Sequence, residues 1–300
     1  MSAPDLPPLR RTDVDGPIAF REWEGPEETT FVLVHGLGGA HVNWVRVGPG
    51  LSGMGRVLAP DLPGFGYSPR AGRDTGLMSL RRTLARFIEQ RASGRVVLCG
   101  NSMGCAIAIL QAAVEPASVG GLVLTGSVFP WVRGGWPHPA VVGTFSIYRV
   151  PRLGEQLMSA RLRRIQPERM VRLGFRFVAA DPRSIPEDVI ALHVDMARHR
   201  ARDPELVPAF VGAARSMLRL GARPDVARRA MDSVRCPVLV LHGRRDRLVP
   251  AAFAEAALAR EAGWRGRIFP DLGHAPMLEA PGRWLAEVAD WYAGALTGDS

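Results

Sequence analysis

The chain has 300 residues, 47% of them hydrophobic, and a formal net charge of +9. Such a composition excludes an intrinsically disordered chain, and the length is sufficient for one large domain or for a domain with a substantial insertion. Every basic residue is arginine and no nucleic-acid-binding motif accompanies the charge, so the basic balance alone does not predict a nucleic-acid partner.

No segment predicts targeting or membrane insertion. The first eleven residues lack an apolar core, and no stretch approaches about 18 consecutive apolar residues. We therefore expect a soluble, cytoplasmic protein, either a monomer or a homodimer. The three cysteines, Cys99, Cys105 and Cys236, are too few for a disulfide framework and lack metal-ligand spacing, which predicts buried thiols and no metal site.

The first part of the chain predicts two strands and a glycine-rich loop. Ile18 to Trp23 alternates apolar and polar residues, as an edge strand does, and Thr30 to Val34 is typical of a fully buried strand. The segment His35-Gly36-Leu37-Gly38-Gly39 follows, and its backbone amides can turn toward a common point. Leu37 N–H is therefore a candidate donor to a negatively charged oxygen, with a plain strand-to-helix turn as the alternative.

The next elements predict an α/β architecture. Arg56 to Pro60 is typical of a strand, and we expect Asp61 to accept hydrogen bonds from the loop that it begins. Leucines and aromatic residues at helical spacing over residues 77–88 predict an amphipathic helix with its arginines facing solvent. Val119 to Thr125 predicts a further buried strand. Strands that alternate with helices indicate a mostly parallel sheet with helices on both faces.

The segment from Arg95 to Cys105 contains Gly-x-Ser-x-Gly between a predicted strand and a predicted helix. A serine on so tight a turn adopts positive φ, and Gly100 and Gly104 remove Cβ atoms that would collide. Ser102 is therefore a candidate nucleophile, at a backbone cost of roughly 1–3 kcal/mol. The amide of Met103, at the start of the helix, is a second candidate donor to a developing negative charge.

The alternation of strands and helices stops after Phe129. Apolar residues at helical spacing, with prolines between them, predict a helical insertion over residues 130–233, between core segments 1–129 and 234–300. We expect this insertion to form a cap over the active site. Its apolar helical faces, with Phe129, Trp131 and Trp136, predict a largely hydrophobic substrate pocket, although aromatic residues at such a hinge are as often involved in packing.

Two later loops supply an acid and a base. Asp246 follows the predicted strand over residues 236–242, and His274 follows the predicted strand over residues 266–269. The order Ser, Asp, His along one chain is typical of one hydrolase arrangement. No Asp or Glu occurs between Val119 and His138, so Asp271 is the only local rival to Asp246, and we interpret Asp271 as a turn residue. The remaining histidines are expected to pack or to face solvent, because His242 lies at a strand end and four others have no motif around them: His41, His138, His193 and His199.

Taken together, these segments resemble the α/β-hydrolase superfamily over nearly the whole chain. The resemblance is carried by His35-Gly36, Asp61-Leu62-Pro63-Gly64-Phe65-Gly66, the turn at Ser102, Gly243-Arg244-Arg245-Asp246 and Gly273-His274. It implies an α/β-hydrolase fold with a helical cap. A serine at the elbow argues against haloalkane dehalogenase and epoxide hydrolase chemistry, which uses an aspartate in this fold.

The chemistry of these residues predicts a serine hydrolase that needs no metal and no organic cofactor. His274 is expected to remove the proton from Ser102 Oγ, Asp246 to orient the imidazole, and the Leu37 and Met103 amides to bind the oxyanion. The first hypothesis is hydrolysis of carboxylic esters with small to medium, largely apolar groups. The expected partner is thus a small-molecule substrate.

Two alternatives remain open. A carbon–carbon bond hydrolase of the meta-cleavage-product type often has the elbow Gly-Asn-Ser-Met-Gly, and the 18 arginines against 10 acidic residues over 130–233 would suit its anionic dienoate substrate. The chain departs from that type because its oxyanion loop lacks Gly-Pro-Gly and because Ala275, not tryptophan, follows His274. The second alternative is a ligand-binding protein of the same fold with little turnover.

Overall fold

The computed structural model describes residues 6–127, 138–150 and 152–295. Its strands are β1 (Arg10–Asp13), β2 (Pro17–Trp23), β3 (Thr29–Val34), β4 (Arg56–Pro60), β5 (Arg95–Asn101), β6 (Gly121–Thr125), β7 (Val238–Gly243) and β8 (Trp264–Phe269). They form one 8-stranded sheet in the order β1-β2-β4-β3-β5-β6-β7-β8. The pairs β1·β2 and β2·β4 are antiparallel and all other pairs are parallel, which confirms the predicted mostly parallel sheet.

Helices cover both faces of this sheet. Those of the first half are α1 (Gly48–Leu51), α2 (Leu77–Arg91) and α3 (Met103–Val114). Those between β6 and β7 are α4 (Pro139–Tyr148), α5 (Leu153–Arg164), α6 (Pro167–Val178), α7 (Glu187–Arg200), α8 (Leu206–Gly221) and α9 (Pro224–Asp232). The last are α10 (Ala251–Arg260), α11 (Pro276–Glu279) and α12 (Pro281–Ala295). No helix among the described residues is both long and apolar enough to cross a membrane.

Alternate residues of each central strand contribute to opposite halves of the core. In β5, Val96 and Leu98 pack with α2 and α3, whereas Val97 and Cys99 pack with Trp44, Trp284 and other residues of the second cluster. This alternation follows from the two-residue period of a strand, and apolar residues on both faces are what a sheet covered on both sides requires. The central strands are therefore packed on both faces, and the loops at their carboxyl ends begin from fixed positions.

The structure corrects three details of the predicted elements. Residues 18–23 do not form an edge strand, because β1 pairs outside β2. The residues of β1, Arg-Arg-Thr-Asp, have no apolar pattern and are mostly exposed, so hydrophobic periodicity gave no indication of this strand. The strand predicted over 266–269 begins at Trp264. Arg81 on α2 does not face solvent: it is buried and donates to Gln111 Oε1 (2.9 Å) and Glu115 Oε1 (2.6 Å).

Helices α4 to α9 occupy the chain between β6 and β7, and no strand occurs among the described residues of this segment. The segment contacts the core at defined points. Thr75 Oγ1 donates to the carbonyl oxygen of Ala209 on α8 (2.8 Å), and Arg200 Nη2 on α7 donates to Gly64 O (2.6 Å). Its assignment as a cap over residues 130–233 stays a prediction.

Candidate active site

Ser102 occupies a strained turn between β5 and α3. Its φ is 53° and its ψ is −113°, and residues other than glycine seldom adopt a positive φ. The flanking sheet holds this turn, since Ser102 N donates to Thr125 O on β6 (3.0 Å) and Cys105 N donates to Ser102 O (3.0 Å). The predicted positive φ is thus present at the predicted residue.

The two glycines of the pentapeptide are needed for different backbone contacts. A Cβ atom at Gly100 would lie 2.6 Å from Cys105 N, and one at Gly104 would lie 2.0 Å from Val34 O. Both obstacles are main-chain atoms of a packed sheet and helix, which cannot move aside as a flexible side chain can. The Gly-x-Ser-x-Gly spacing is therefore a steric requirement of this turn.

The structure brings Asp246 and His274 together at the carboxyl ends of β7 and β8. His274 Nδ1 is 2.7 Å from Asp246 Oδ2, and the side chains of both residues are buried. Asp246 Oδ1 accepts hydrogen bonds from the amides of Leu248 (2.8 Å) and Val249 (2.9 Å), which leaves Oδ2 for the imidazole. A neutral imidazole that donates from Nδ1 presents Nε2 as an acceptor.

A second histidine contacts the same carboxylate. His242 Nε2 lies 3.3 Å from Asp246 Oδ2 and 3.0 Å from Val249 O. Burial alone would raise the pKa of the Asp246 carboxyl, but the charge of His274 and hydrogen bonds with His242 and His274 outweigh it and hold that pKa below its ordinary value. Asp246 is therefore an anion that can orient and stabilise an imidazolium. The expectation for His242, that it packs or faces solvent, did not include this contact.

Ser102 and His274 adjoin the same strand end. A Cβ atom at Gly126, which follows β6 with φ +58°, would lie 3.0 Å from His274 Nδ1. Asn101 Nδ2, from the residue before Ser102, donates to Thr125 O (3.1 Å) and to His274 O (3.3 Å). Asn101 thus ties the serine turn to the histidine loop. The predicted residues Ser102, Asp246 and His274 converge at one edge of the sheet.

The Leu37 and Met103 amides both lie beside the serine turn. Met103 begins α3, where an amide has no acceptor within the helix, and a Cβ atom at Gly36 would lie 3.2 Å from Ser102 Cβ. Within the described residues, neither the Leu37 nor the Met103 amide donates a hydrogen bond. Two unpaired backbone donors next to a serine hydroxyl are the arrangement that stabilises an oxyanion.

His35 fixes the orientation of the Leu37 amide. The Leu62 amide donates to His35 Nε2 (3.0 Å), so the proton resides on Nδ1, which donates to Gly36 O (2.8 Å). Burial lowers the pKa of His35 and keeps the ring neutral. The Gly36 carbonyl and the Leu37 N–H belong to one trans peptide and point in opposite directions. Because His35 binds the Gly36 carbonyl on one side of this peptide, the Leu37 N–H points to the opposite side.

Asp61 and His41 form a buried pair behind this loop. Asp61 accepts from the Tyr67 amide (2.8 Å), as predicted for its own loop, but also from the His41 amide (2.6 Å), and His41 Nδ1 lies 3.0 Å from both carboxylate oxygens. Burial would raise the pKa of Asp61, but the charge and hydrogen bond of His41 lower it. His41, expected to pack or face solvent, thus has a specific partner 20 residues away.

Glu279 joins the histidine loop to the segment between β6 and β7. Its Oε1 accepts from Gly273 N (2.9 Å) and its Oε2 from Ala180 N (2.7 Å), and His274 N donates to Val178 O (2.7 Å). Burial raises the pKa of Glu279. Sequence reasoning missed this residue, and the only available signal was its position five residues after His274.

The aromatic residues predicted to contact substrate, Phe129, Trp131 and Trp136, lie outside the described residues. An apolar side chain that is described near the site is Phe210 of α8, whose ring would lie 3.0 Å from a Cβ atom at Gly38. Asp271, the local rival to Asp246, is exposed and pairs with Arg283 (2.7 Å). Residues 6–127, 138–150 and 152–295 contain no group of three or more potential metal ligands.

Comparisons with known proteins extend these observations. The chain is 29% identical over 263 residues to the pimeloyl-(acyl-carrier protein) methyl ester esterase of Nitrosomonas europaea, covering 87% of this chain and 94% of that protein. It is 28% identical to the 2-hydroxy-6-oxononadienedioate/2-hydroxy-6-oxononatrienedioate hydrolase of Cupriavidus pinatubonensis, covering 87% and 86%. A further relative, the dihydrolipoyllysine-residue acetyltransferase component of an acetoin cleaving system of Pseudomonas putida, is 27% identical, and the chain spans 66% of its length.

Solved structures share the fold. A thermophilic esterase from Thermogutta terrifontis superposes with a TM-score of 0.71 at 23% identity, over 96% of this chain and 97% of that one. The sequence profile described as the Alpha/beta hydrolase family matches residues 31–288, which include the serine turn, Asp246 and His274. The chain therefore belongs to the α/β-hydrolase family and is an enzyme of that family.

Proposed function

We propose that this enzyme hydrolyses carboxylic esters of small to medium, largely apolar substrates through an acyl-enzyme on Ser102. The observation that carries the proposal is the hydrogen bond from His274 Nδ1 to the buried Asp246 carboxylate at the same strand ends as the Ser102 turn. This bond sets the tautomer that leaves His274 Nε2 as the base. The similarity to the methyl ester esterase of Nitrosomonas europaea supports ester hydrolysis.

In the proposed reaction His274 Nε2 takes the proton of Ser102 Oγ as the oxygen attacks the ester carbonyl carbon. The tetrahedral oxyanion accepts hydrogen bonds from the Leu37 and Met103 amides, and the imidazolium is stabilised by Asp246. His274 then protonates the departing alcohol, and the ester bond breaks to give the acyl-enzyme. A water molecule, deprotonated by His274, releases the acid and restores Ser102.

We expect side chains of α8 and α4 to line the apolar substrate pocket. Phe210 lies over Gly38, and its ring packs edge-on against Tyr148 at a centroid distance of 5.7 Å. An ester with an aliphatic acyl group would replace water against these side chains, which favours apolar over charged substrates.

Carbon–carbon bond cleavage of an anionic dienoate is the second candidate, supported by the related hydrolase of Cupriavidus pinatubonensis. It requires cationic side chains that are free to bind the substrate. Several arginines between β6 and β7 are instead engaged within the protein: Arg172 with Glu187, Arg215 with Glu155, and Arg200 with Asp203 and Gly64 O. The arginines of this segment that pair with no described residue, such as Arg161 and Arg164 of α5, are exposed at the surface, so the arrangement favours ester hydrolysis.

A p-nitrophenyl ester series from acetate to palmitate, assayed beside a 2-hydroxy-6-oxo-dienoate, tests the proposal. We expect fast turnover of one range of acyl lengths and a loss of about 10⁴-fold or more in kcat/KM for Ser102→Ala. Ser52→Ala, which removes an exposed hydroxyl bonded to Pro49 O, is the matched control and should retain activity. Fast dienoate cleavage with slow esters would move the assignment to the second candidate, and silence on both would favour a ligand-binding role.

A further inference from the structure

Helix α4 lies on the surface without a charged side chain. Its ten residues, Pro139 to Tyr148, are aliphatic, aromatic, small or hydroxylic, and Tyr148 is the only buried one. Helices that face water normally carry charged residues on their outer side, because the outer face of an amphipathic helix is polar. The outer face of α4 therefore exposes apolar surface that contact with another apolar surface would stabilise.

Exposed apolar side chains are concentrated on α4, on α5 and on the connection between them. Val142, Ile147, Val150, Leu153 and Leu157 are 36–47% exposed, and they make up most of the large hydrophobic side chains exposed among the described residues. Leu153 and Leu157 are one turn apart and share one face of α5. Exposed apolar patches of this kind mark interaction surfaces. We call these five residues, with the arginines named next, the docking face.

The arginines of the docking face have no ion-pair partner in the part of the chain that the structure describes. Arg149, Arg152, Arg161, Arg163 and Arg164 are exposed, and none forms an ion pair with a described residue. Arg161 and Arg164 continue the Leu153 and Leu157 stripe of α5 by helical spacing. The only carboxylate between residues 138 and 166 is Glu155, and Arg215 neutralises it with bonds of 2.6 and 3.1 Å.

We propose that the docking face binds the surface of an anionic phospholipid bilayer. Aliphatic side chains would enter the boundary between headgroups and acyl chains while the arginines bind lipid phosphates, as amphipathic helices rich in arginine do at membranes. The chemistry favours lipid over a protein partner because the aromatic residues that anchor protein interfaces are turned inward. Phe145 and Tyr148 pack on each other (5.8 Å between centroids), and Tyr148 packs on Phe210.

The docking face is connected to the candidate site through α8. Helices α4 and α5 both contact α8, and Phe210 of α8 covers the glycine loop that holds the Leu37 amide. A protein bound through the docking face would therefore hold its apolar pocket near the lipid. This inference goes beyond the ester chemistry and does not depend on it, because bilayer binding is measured without turnover.

Vesicle co-sedimentation tests the proposal. The wild-type protein is mixed with vesicles of phosphatidylcholine, or of phosphatidylcholine with phosphatidylglycerol, and the bound fraction is measured at low and at high ionic strength. We expect binding to the anionic vesicles only, with a loss at high salt. The pairs Leu153→Ser with Leu157→Ser and Arg161→Gln with Arg164→Gln should each lower the partition coefficient by about tenfold or more.

Matched controls separate the docking face from general effects of charge and hydrophobicity. Val226→Ser removes an exposed aliphatic side chain on α9, and Arg82→Gln removes an exposed charge on α2, and both should bind as the wild type does. All variants should keep the hydrolysis rate of a water-soluble short ester and the wild-type circular dichroism, which shows that they fold. A wild-type protein that stays in the supernatant, or paired variants that bind as tightly as the controls, would overturn the proposal and leave an acidic protein as the occupant.

Discussion

The conformation of Ser102 depends on its neighbours having no side chains. Positive φ at a serine is maintained because strand β5 and helix α3 are fixed by the sheet, and because Gly104 allows α3 to pass within van der Waals range of β3. A methyl group added at Gly104 would overlap the backbone of β3. The strain at the serine and the glycines around it are therefore parts of one steric arrangement.

Gly104→Ala should destabilise the protein severely. Its Cβ atom would fall 2.0 Å from Val34 O, so β3 or α3 must shift, at an expected cost of about 3 kcal/mol or more in the free energy of unfolding. Urea unfolding followed by circular dichroism measures it. Gly143→Ala in α4, where a Cβ atom meets nothing within 4 Å, is the control and should be neutral or slightly stabilising. Equal stability of the two variants would contradict this account of the turn.

Glu279 should act as a positioning residue for His274. Both of its oxygens accept amide protons, from Gly273 and Ala180, so Glu279→Gln keeps one bond and Glu279→Ala loses both. We expect kcat for a good ester substrate to fall by about tenfold for the alanine variant and less for the glutamine variant, with a smaller effect on KM.

The matched control for Glu279 is Glu255→Gln, since Glu255 is exposed and pairs with Arg244 at the surface. Steady-state kinetics are combined with urea unfolding, because a purely structural role would lower stability without separating kcat from KM. If Glu279→Gln and Glu279→Ala both kept the wild-type kcat, the hydrogen bonds of Glu279 to the histidine loop would have no part in turnover.

At the scale of single elements, α7 contains a buried base that makes its packing depend on pH. His193 Nδ1 donates to Val189 O (2.9 Å), and the ring packs edge-on against Phe175 at a centroid distance of 5.0 Å. Burial lowers the pKa of His193 from 6.5 to about 4. Because the unfolded chain binds a proton at a higher pH than the folded one, this histidine stabilises the fold above pH 6.5 and that contribution is lost as pH falls toward 4.

Unfolding free energy should therefore decrease by about 1 kcal/mol between pH 7 and pH 5.5 through His193 alone. Urea titrations at the two pH values, on wild type and on His193→Gln, isolate this contribution as the part of the pH dependence that the variant lacks. His199→Gln, on the same helix but exposed and stacked on Tyr67, is the control. An unchanged pH dependence in His193→Gln would refute the assignment.

Elements with continuous apolar patterns could be predicted from the sequence, and those with polar patterns could not. Strands β3, β5, β6 and β7 are buried on both faces, so their apolar runs were sufficient. Strand β1 is polar and held by its pairing with β2, which no local pattern reveals. Arg81 was placed in solvent for the same reason, because its partners Gln111 and Glu115 lie about thirty residues further along the chain.

At the scale of the whole molecule, the fold brings together three loops that are far apart in the sequence. The carboxyl ends of parallel strands meet at one edge, so the positions of Ser102, Asp246 and His274 after β5, β7 and β8 could be predicted from motif order alone. The residues that orient them, Asn101, His242 and Glu279, were not predicted. Their contacts join segments remote in sequence, and the residue types alone do not indicate such partners.

The acyl-enzyme on Ser102 is the central claim, and mass spectrometry of the protein quenched in acid during turnover of p-nitrophenyl butyrate tests it most directly. We predict a mass increase of one butyryl group, located by peptide mapping on Ser102, and no increase for Ser102→Ala. Ester hydrolysis by the wild type with no adduct, or with an adduct on another residue, would contradict the account.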